Sequence, residues 1–354
     1  MNWKDNVRRV TPYVPGEQPK DKNIIKLNTN ENPYPPCPGA EKVLNGFDAD
    51  SLKKYPDPNV TMLRQALADY HGVSFSQVFV GVGSDDVLGT AFLTLFGGDK
   101  PVLFPDLTYS FYPVWAELYR IPFREIPLDE SFHIRPDDYR IPSGGVIFPN
   151  PNAPTGIYEN KENVRKILDQ NRDVAVIVDE AYIDFAGEDA SVLSLLPEYD
   201  NLLIVRTFSK SRSLAGARIA YAIGSEEMID CMLAIRNSYN SYTMNSVSIA
   251  AGTASVEDDA YFRNTVKKIC DTRERFTREA EKLGFTILPS STNFVFAMPP
   301  EKCPAAELFR MAREKGIYFR YFSAKRAEPY LRITIGTDEE MDLVLAFFRK
   351  VYQN

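Results

Sequence analysis

The chain has 354 residues, 44% hydrophobic and 25% charged, a globular composition long enough for about two domains and a core that needs no disulfide staples. With 41 basic and 48 acidic residues the net charge is −7, which argues against a dedicated nucleic-acid binder, and no run approaches the ~18 apolar residues of a membrane span. MNWKDNVRRV lacks an apolar signal core, and Cys37, Cys231, Cys270 and Cys303 are far apart with no CxxC pair, so the expectation is a cytoplasmic protein with reduced thiols and no metal site.

Residues 1–40, rich in Pro and Asn, predict an extended arm. VTMLRQALADYHG (60–72) has helical spacing and stops at a glycine. VFVGVGSDDVL reads as strand, Gly-rich turn and helix start. PVLFP (101–105) is a short buried strand, 109–119 a helix, GGVIFPN (144–150) a strand and NKENVRKILDQN (160–171) a helix. VAVIVDEAY (174–182), NLLIVRTFSK (201–210) and ARIAYAIG (217–224) follow as strands. Strands alternating with helices at this spacing imply a doubly wound, mostly parallel sheet with helices on both faces. After about residue 240 the pattern changes to a long charged helix (258–283), strand-like FTILPSSTNFVFAMP, helical AAELFRMAREKG, strand YLRITIGT and a closing amphipathic helix. That predicts a smaller α+β domain over 241–354 beside a large domain over 41–240, with the crevice between them as the default site.

Only two histidines occur, His71 at a helix end and His133 in a polar loop. Neither setting suits a catalytic triad or a metal centre, so the chemistry must run on other side chains. In open α/β sheets functional groups gather at the carboxyl ends of strands. Four such ends carry candidates: Gly81 to Asp86, Asn150 to Gly156, Asp179 to Tyr182, and Arg206 to Arg218. The Gly-rich turn could present amides to an anion, but a dinucleotide fingerprint fails because its third glycine is Asp86. A structural turn is the competing reading. Asp179 ends a buried run and wants a cation or protonated nitrogen, unless it only caps the next helix. Lys210 follows a strand among Thr207, Ser209 and Arg218, which together can bind phosphate; a neighbouring cation and partial burial favour the neutral amine a Schiff base requires. Tyr109 and Tyr182 are either core aromatics or a stacking face and a phenol donor. Phosphate donors, a carboxylate for a ring nitrogen, a flat aromatic and a lysine, on successive strand ends, match the needs of pyridoxal 5′-phosphate.

The motifs NPNAPTG (150–156), DEAYIDF (179–185) and RTFSKSRSLAGARIAY (206–221) resemble, over essentially the whole chain, the fold-type-I, class-I/II aminotransferases. PYVPGE (12–17), LNTNENPYPP (27–36), KKYPDP (53–58) and YLRITIGT (330–337) are most similar to the subgroup acting on histidinol phosphate. The resemblance implies that Lys210 binds the cofactor covalently and shuttles the substrate's α-proton. Asp179 would keep the pyridine nitrogen protonated, Tyr182 would hydrogen-bond the ring oxygen, and Tyr109 would stack on the ring. Thr207, Ser209, Arg218 and the backbone around Ser84 and Asp85 would hold the phosphate, with Tyr55 reaching it from the other subunit of a homodimer. Arg332 would take the substrate's acidic group, Arg320 would be a second anion contact, and Tyr13 and Asn32 would close over the substrate. Many relatives have Asn directly before the second proline, contacting the ring oxygen. Ala153 stands there in this chain, so Asn152 is expected to supply the contact by a small backbone shift. The implied reaction exchanges an amino group between histidinol phosphate and 2-oxoglutarate, with imidazole acetol phosphate and glutamate as products. The rivals are an aromatic or broad-range aminotransferase, a threonine-phosphate decarboxylase and, outside enzymes, a non-catalytic ligand sensor on the same fold.

Overall fold

The computed structural model describes residues 2–14, 16–20, 23–324 and 326–353; Pro15 of the PYVPGE segment lies outside them. The strands are β1 (Ile25–Lys26), β2 (Val78–Gly81), β3 (Val102–Pro105), β4 (Phe123–Ile126), β5 (Gly145–Pro149), β6 (Val176–Asp179), β7 (Leu202–Thr207), β8 (Ala220–Ile223), β9 (Thr286–Ile287), β10 (Phe294–Met298), β11 (Ile317–Tyr318), β12 (Arg320–Tyr321) and β13 (Leu331–Thr334). The helices are α1 (Pro38–Asn45), α2 (Thr61–His71), α3 (Ser84–Leu95), α4 (Tyr112–Tyr119), α5 (Lys161–Gln170), α6 (Glu226–Tyr239), α7 (Ser246–Glu257), α8 (Asp259–Glu281), α9 (Ala305–Glu314) and α10 (Asp338–Tyr352).

Seven strands form the main sheet in the order β2-β8-β7-β6-β5-β3-β4. All its pairings are parallel except those of β8, which runs against both β2 and β7. Its apolar runs are continuous because alternate residues bury on opposite faces: Val176 and Val178 enter one core with Leu67, Val80 and Ile204, while Ile177 enters another with Phe79, Phe92 and Val205. The register sets Pro149, Asp179 and Val205 side by side on β5, β6 and β7. These strands therefore deliver their C-terminal residues to one edge of the sheet.

A four-stranded antiparallel sheet, β12-β13-β10-β9, has its own core of Phe294, Leu331, Ile333, Phe276 and Phe348. Helix α8 buries Thr265, Ile269, Thr272, Phe276 and Ala280, a three-to-four-residue stripe that faces this core. β1 pairs parallel with β11, fastening the second half of the N-terminal arm to this unit. The sequence divides the chain at residue 240, yet Met244, Ile249 and Val256 pack into the large-sheet core, with α7 set against α1 and α2. We therefore place the division between α7 and α8.

Candidate active site

A cavity of about 230 Å³ opens where the carboxyl ends of the large sheet, the 28–31 segment and the small sheet meet. Among its lining residues are Tyr13, Ser84, Asp85, Tyr109, Asp179, Tyr182, Ser209, Lys210, Arg218, Arg320 and Arg332. The folded chain thus brings together residues from seven separate stretches that the sequence singles out.

Asp179 is 4% exposed because it terminates a strand buried on both faces. The Tyr112 hydroxyl donates to its Oδ2 at 3.0 Å and the Ala181 amide to its Oδ1 at 3.2 Å. No ion pair reaches it among the described residues. Burial pushes its pKa up to about 6, against the downward pull of those two hydrogen bonds. A carboxylate held like this is a receptor for a protonated ring nitrogen.

Lys210 lies in the connection from β7 to β8. Its Nζ donates to the Thr29 carbonyl at 3.1 Å and sits 5.8 Å from the Tyr182 ring centre. At the other end, α3 begins at Ser84 after Gly83, which has φ +87° and supplies no side-chain cap. The first amides of α3 therefore remain available to an anion. A Cβ on Gly83 would run into the Arg218 guanidinium, so only glycine lets that guanidinium lie against the turn. Arg218 is 3.3 Å from Asp85 Oδ2, and Asp85 Oδ1 accepts from the Tyr109 hydroxyl at 2.9 Å. Helix amides, the Ser84 and Ser209 hydroxyls and Arg218 make a phosphate-sized cradle. Burial beside Asp85 drives the Tyr109 phenol well above its ordinary range, leaving a neutral ring. Tyr13 reaches the cavity by stacking on Phe111, with ring centres 4.5 Å apart.

On the far wall, Arg320 and Arg332 face each other in register on β12 and β13. Neither forms an ion pair among the described residues. The Arg332 guanidinium lies 5.4 Å from the Phe294 ring and 5.5 Å from the Phe322 ring. It donates to the Asn28 carbonyl at 3.1 Å, while its buried Nε has no partner. A desolvated guanidinium with vacant donors is an anion receptor.

Four expected residues stand elsewhere. Asn152 turns away from the cavity. Its Nδ2 donates to the Leu107 carbonyl at 3.0 Å and to Thr155 Oγ1 at 2.9 Å, and its Oδ1 accepts from Thr108. The expected ring contact is thereby corrected: both ends of the amide are occupied by Leu107 and Thr108 of the β3–α4 connection and by Thr155, and the Ala153 methyl lines the cavity instead. Asn32 does not reach the substrate side, because its Nδ2 donates to the Lys210 and Ser211 carbonyls at 3.0 and 3.1 Å, bracing the lysine from behind. Thr207 also lies behind the wall, donating to Ser209 Oγ at 2.9 Å. Tyr55 is 82% exposed and stacks on Tyr242, outside this chain's cavity. His71 is half-buried, its Nε2 hydrogen-bonded to the Tyr221 hydroxyl at 2.8 Å, and desolvation lowers its pKa to about 3.

The sequence reading missed two residues at the site. Tyr112 is the first residue of α4, three positions after Tyr109 in the turn that precedes it, and its place in the aromatic LTYSFY run was the available signal. Asn30 donates to the Tyr182 hydroxyl at 2.8 Å; only its place in an Asn-rich run pointed to it. The donor set fits pyridoxal 5′-phosphate: a buried carboxylate lacking a cation, a phosphate cradle, a flat neutral phenol and one lysine between them.

The profile of the family described as aminotransferase class I and II matches residues 22–348. The chain is 47% identical over 354 residues to a histidinol-phosphate aminotransferase of Lactococcus lactis subsp. cremoris, covering 100% of this chain and 99% of that protein. It is 50% identical over 337 residues to one from Pseudomonas putida, covering 95% and 96%. Among solved structures it is similar to the histidinol-phosphate aminotransferase of Sinorhizobium meliloti in complex with pyridoxal 5′-phosphate, with a TM-score of 0.84, 26% identity and coverage of 93% and 91%.

Proposed function

The chain belongs to the class I and II aminotransferases, and on that premise we propose that it transfers the amino group of L-histidinol phosphate to 2-oxoglutarate. The products are imidazole acetol phosphate and L-glutamate, and the reaction serves histidine biosynthesis. The cofactor is pyridoxal 5′-phosphate, the group present in the Sinorhizobium meliloti enzyme. One observation carries the reading: two guanidiniums without ion pairs, Arg320 and Arg332, face a buried carboxylate, Asp179, and Lys210 across one cavity. Such a wall accepts a phosphate monoester in one half-reaction and a dicarboxylate in the other, because guanidinium pairs bidentately with both.

When bound, the cofactor supplies an electron-withdrawing ring into which charge on the substrate's α-carbon spreads. The protein does the rest. Asp179 holds the ring nitrogen protonated, and Tyr112 and Ala181 fix the carboxylate's two oxygens. Ser84, Asp85, Ser209 and Arg218 hold the phosphate end through hydroxyls, α3 amides and one guanidinium. Tyr109 covers the ring face. Lys210 Nζ would hold the cofactor and, once released from it, would move the proton of the amine-bearing carbon. Arg332 draws in the substrate's anionic end, desolvating it against Phe294 and Phe322. The reading includes a homodimer, supported by the exposed Tyr55–Tyr242 pair, and a cytoplasmic location, supported by the biosynthetic role. No described helix is long and apolar enough to cross a membrane.

An absorbance titration of the cofactor-loaded protein tests the reading. Low histidinol phosphate should bleach the visible band of the lysine-bound cofactor, and 2-oxoglutarate should restore it. Stronger bleaching by phenylalanine or aspartate would reassign the enzyme to aromatic or broad-range transamination. Carbon dioxide release from threonine phosphate would make it a decarboxylase. Absence of any visible band after cofactor addition would leave a non-catalytic sensor.

A further inference from the structure

Tyr182 lines the cavity, 8% exposed. Its hydroxyl has one hydrogen-bond partner among the described residues, Asn30 Nδ2 at 2.8 Å. An amide NH₂ only donates, so the phenol oxygen accepts and its own hydrogen is left without an acceptor among the described residues.

The amide's orientation is itself fixed. The Asn30 backbone N–H donates to Thr334 Oγ1 at 3.0 Å, and the Thr334 hydroxyl then donates to Asn30 Oδ1 at 3.1 Å. With one lone pair accepting the amide N–H and its hydrogen donated to Oδ1, the Thr334 hydroxyl holds the carbonyl end of the side chain, and Nδ2 is left to donate to Tyr182. Asn293 Nδ2 donates to the Asn30 carbonyl at 3.0 Å. Asn30 is 1% exposed with φ +56°, a left-handed conformation that asparagine tolerates better than most residues. Strands β10 and β13 flank this network, through Phe294 beside Asn293 and through Thr334 itself.

We propose that Asn30 is a positioning residue for the cofactor: by occupying the Tyr182 oxygen as a donor, it turns the Tyr182 proton into the cavity, where the cofactor's ring oxygen receives it. The inference rests on the aminotransferase reading above. It also accounts for Ala153. That methyl offers the ring oxygen no donor and Asn152 is spent on Leu107, Thr108 and Thr155, so from this wall the task falls to Tyr182, whose hydrogen Asn30 directs. The charged and titratable groups around Tyr182 are Lys210 from the β7–β8 connection, Arg332 from β13, Tyr109 from the turn before α4 and Tyr112 at the start of α4. None of them donates to or accepts from its hydroxyl.

A hydrogen bond to the ring oxygen stabilises negative charge there and lowers the proton affinity of the adjacent nitrogen that joins the cofactor to Lys210. The readout is the pH midpoint of the visible band in the loaded enzyme, without substrate. Asn30→Gly keeps the backbone conformation and removes the amide; the midpoint should rise by about 0.5 to 1 unit, the size of one net hydrogen bond. Asn30→Asp should raise it further, because its carboxylate captures the Tyr182 hydrogen and adds negative charge. Thr334→Val frees the amide to flip and should shift the midpoint the same way by less, which keeps the idea testable should either Asn30 variant fail to fold. In a Tyr182→Phe background, Asn30→Gly should add nothing. An intact band with an unmoved midpoint in Asn30→Gly and Asn30→Asp overturns the proposal, as does a full shift persisting without the Tyr182 hydroxyl. If the wild type forms no visible band at all, this inference and the aminotransferase reading fall together.

Discussion

Asp179 holds an ionisable carboxyl group inside the fold with one phenol and one amide for company. Its pKa of about 6 in the cofactor-free chain lies above the ordinary carboxylate range. Between about pH 4 and 6 the folded state therefore binds more protons than the unfolded state, and stability falls as pH rises through that window. A shift of about two units corresponds to about 2–3 kcal/mol lost by neutral pH. Asp179→Asn keeps the Tyr112 contact without the buried charge. The cofactor-free variant should be about 1–3 kcal/mol more stable than wild type at pH 8, and no more stable near pH 4. Urea unfolding at the two pH values measures this. A gain independent of pH would mean that ionisation of Asp179 is not its source. The same variant should lose cofactor affinity, because the ring nitrogen then has no anion.

Between β5 and α5 the chain folds back through Asn150–Gly156. Asn150 fastens one end, its Nδ2 donating to the Glu159 carbonyl and its Oδ1 accepting the Glu159 amide, each at 2.8 Å. Asn152 fastens the other end to Leu107 and Thr155. Asn152→Ala should cost about 1–3 kcal/mol of stability by stranding buried polar partners, while leaving the visible-band midpoint in place. A moved midpoint would restore Asn152 to the ring. This element shows where sequence reading stops. The motif marks the loop, but the direction of an amide within it depends on the Leu107 carbonyl and the Thr108 hydroxyl, more than forty residues away. Asn30 is the stronger case, its orientation set by Thr334, 304 positions along the chain. Asp179, Lys210 and Arg218 were legible because each sits in a motif at or beside the end of an apolar strand, a local pattern, while Arg332 was legible only through the resemblance of YLRITIGT to a known family. The succession of the main strands along the chain and the change to a smaller α+β unit were legible from the same kind of local pattern, though their order within the sheet was not. β4 was missed because its Phe123, Arg124 and Glu125 are exposed at the sheet edge and show no buried face. α7 was missed because Ser248, Ile249, Ala251, Gly252, Thr253, Ser255 and Val256 are all buried, and a helix covered on nearly every side carries no amphipathic stripe.

At the scale of the whole molecule, Tyr55 projects from the surface and cannot serve its own chain's cavity. A homodimer in which it completes the neighbouring site predicts complementation. Tyr55→Ala and Lys210→Ala proteins, each impaired alone, should after mixing through partial unfolding and reassembly recover up to about a quarter of wild-type activity, since half the dimers are mixed and one of their two sites is intact. Activity no greater than the sum of the separate proteins would show that each site is built within one chain.

The groups at the cavity are carried by two separately packed bodies. Asp179, Lys210 and Arg218 sit on the seven-stranded sheet and its connections, while Arg320 and Arg332 sit on the four-stranded sheet with a core of its own. Evolution can therefore retool the smaller body for a differently charged guest while the cofactor seat on the larger one is inherited unchanged. Variation in substrate preference should concentrate on β12, β13 and the residues flanking them, and drift toward new amino donors need not pass through ancestors that have lost the cofactor.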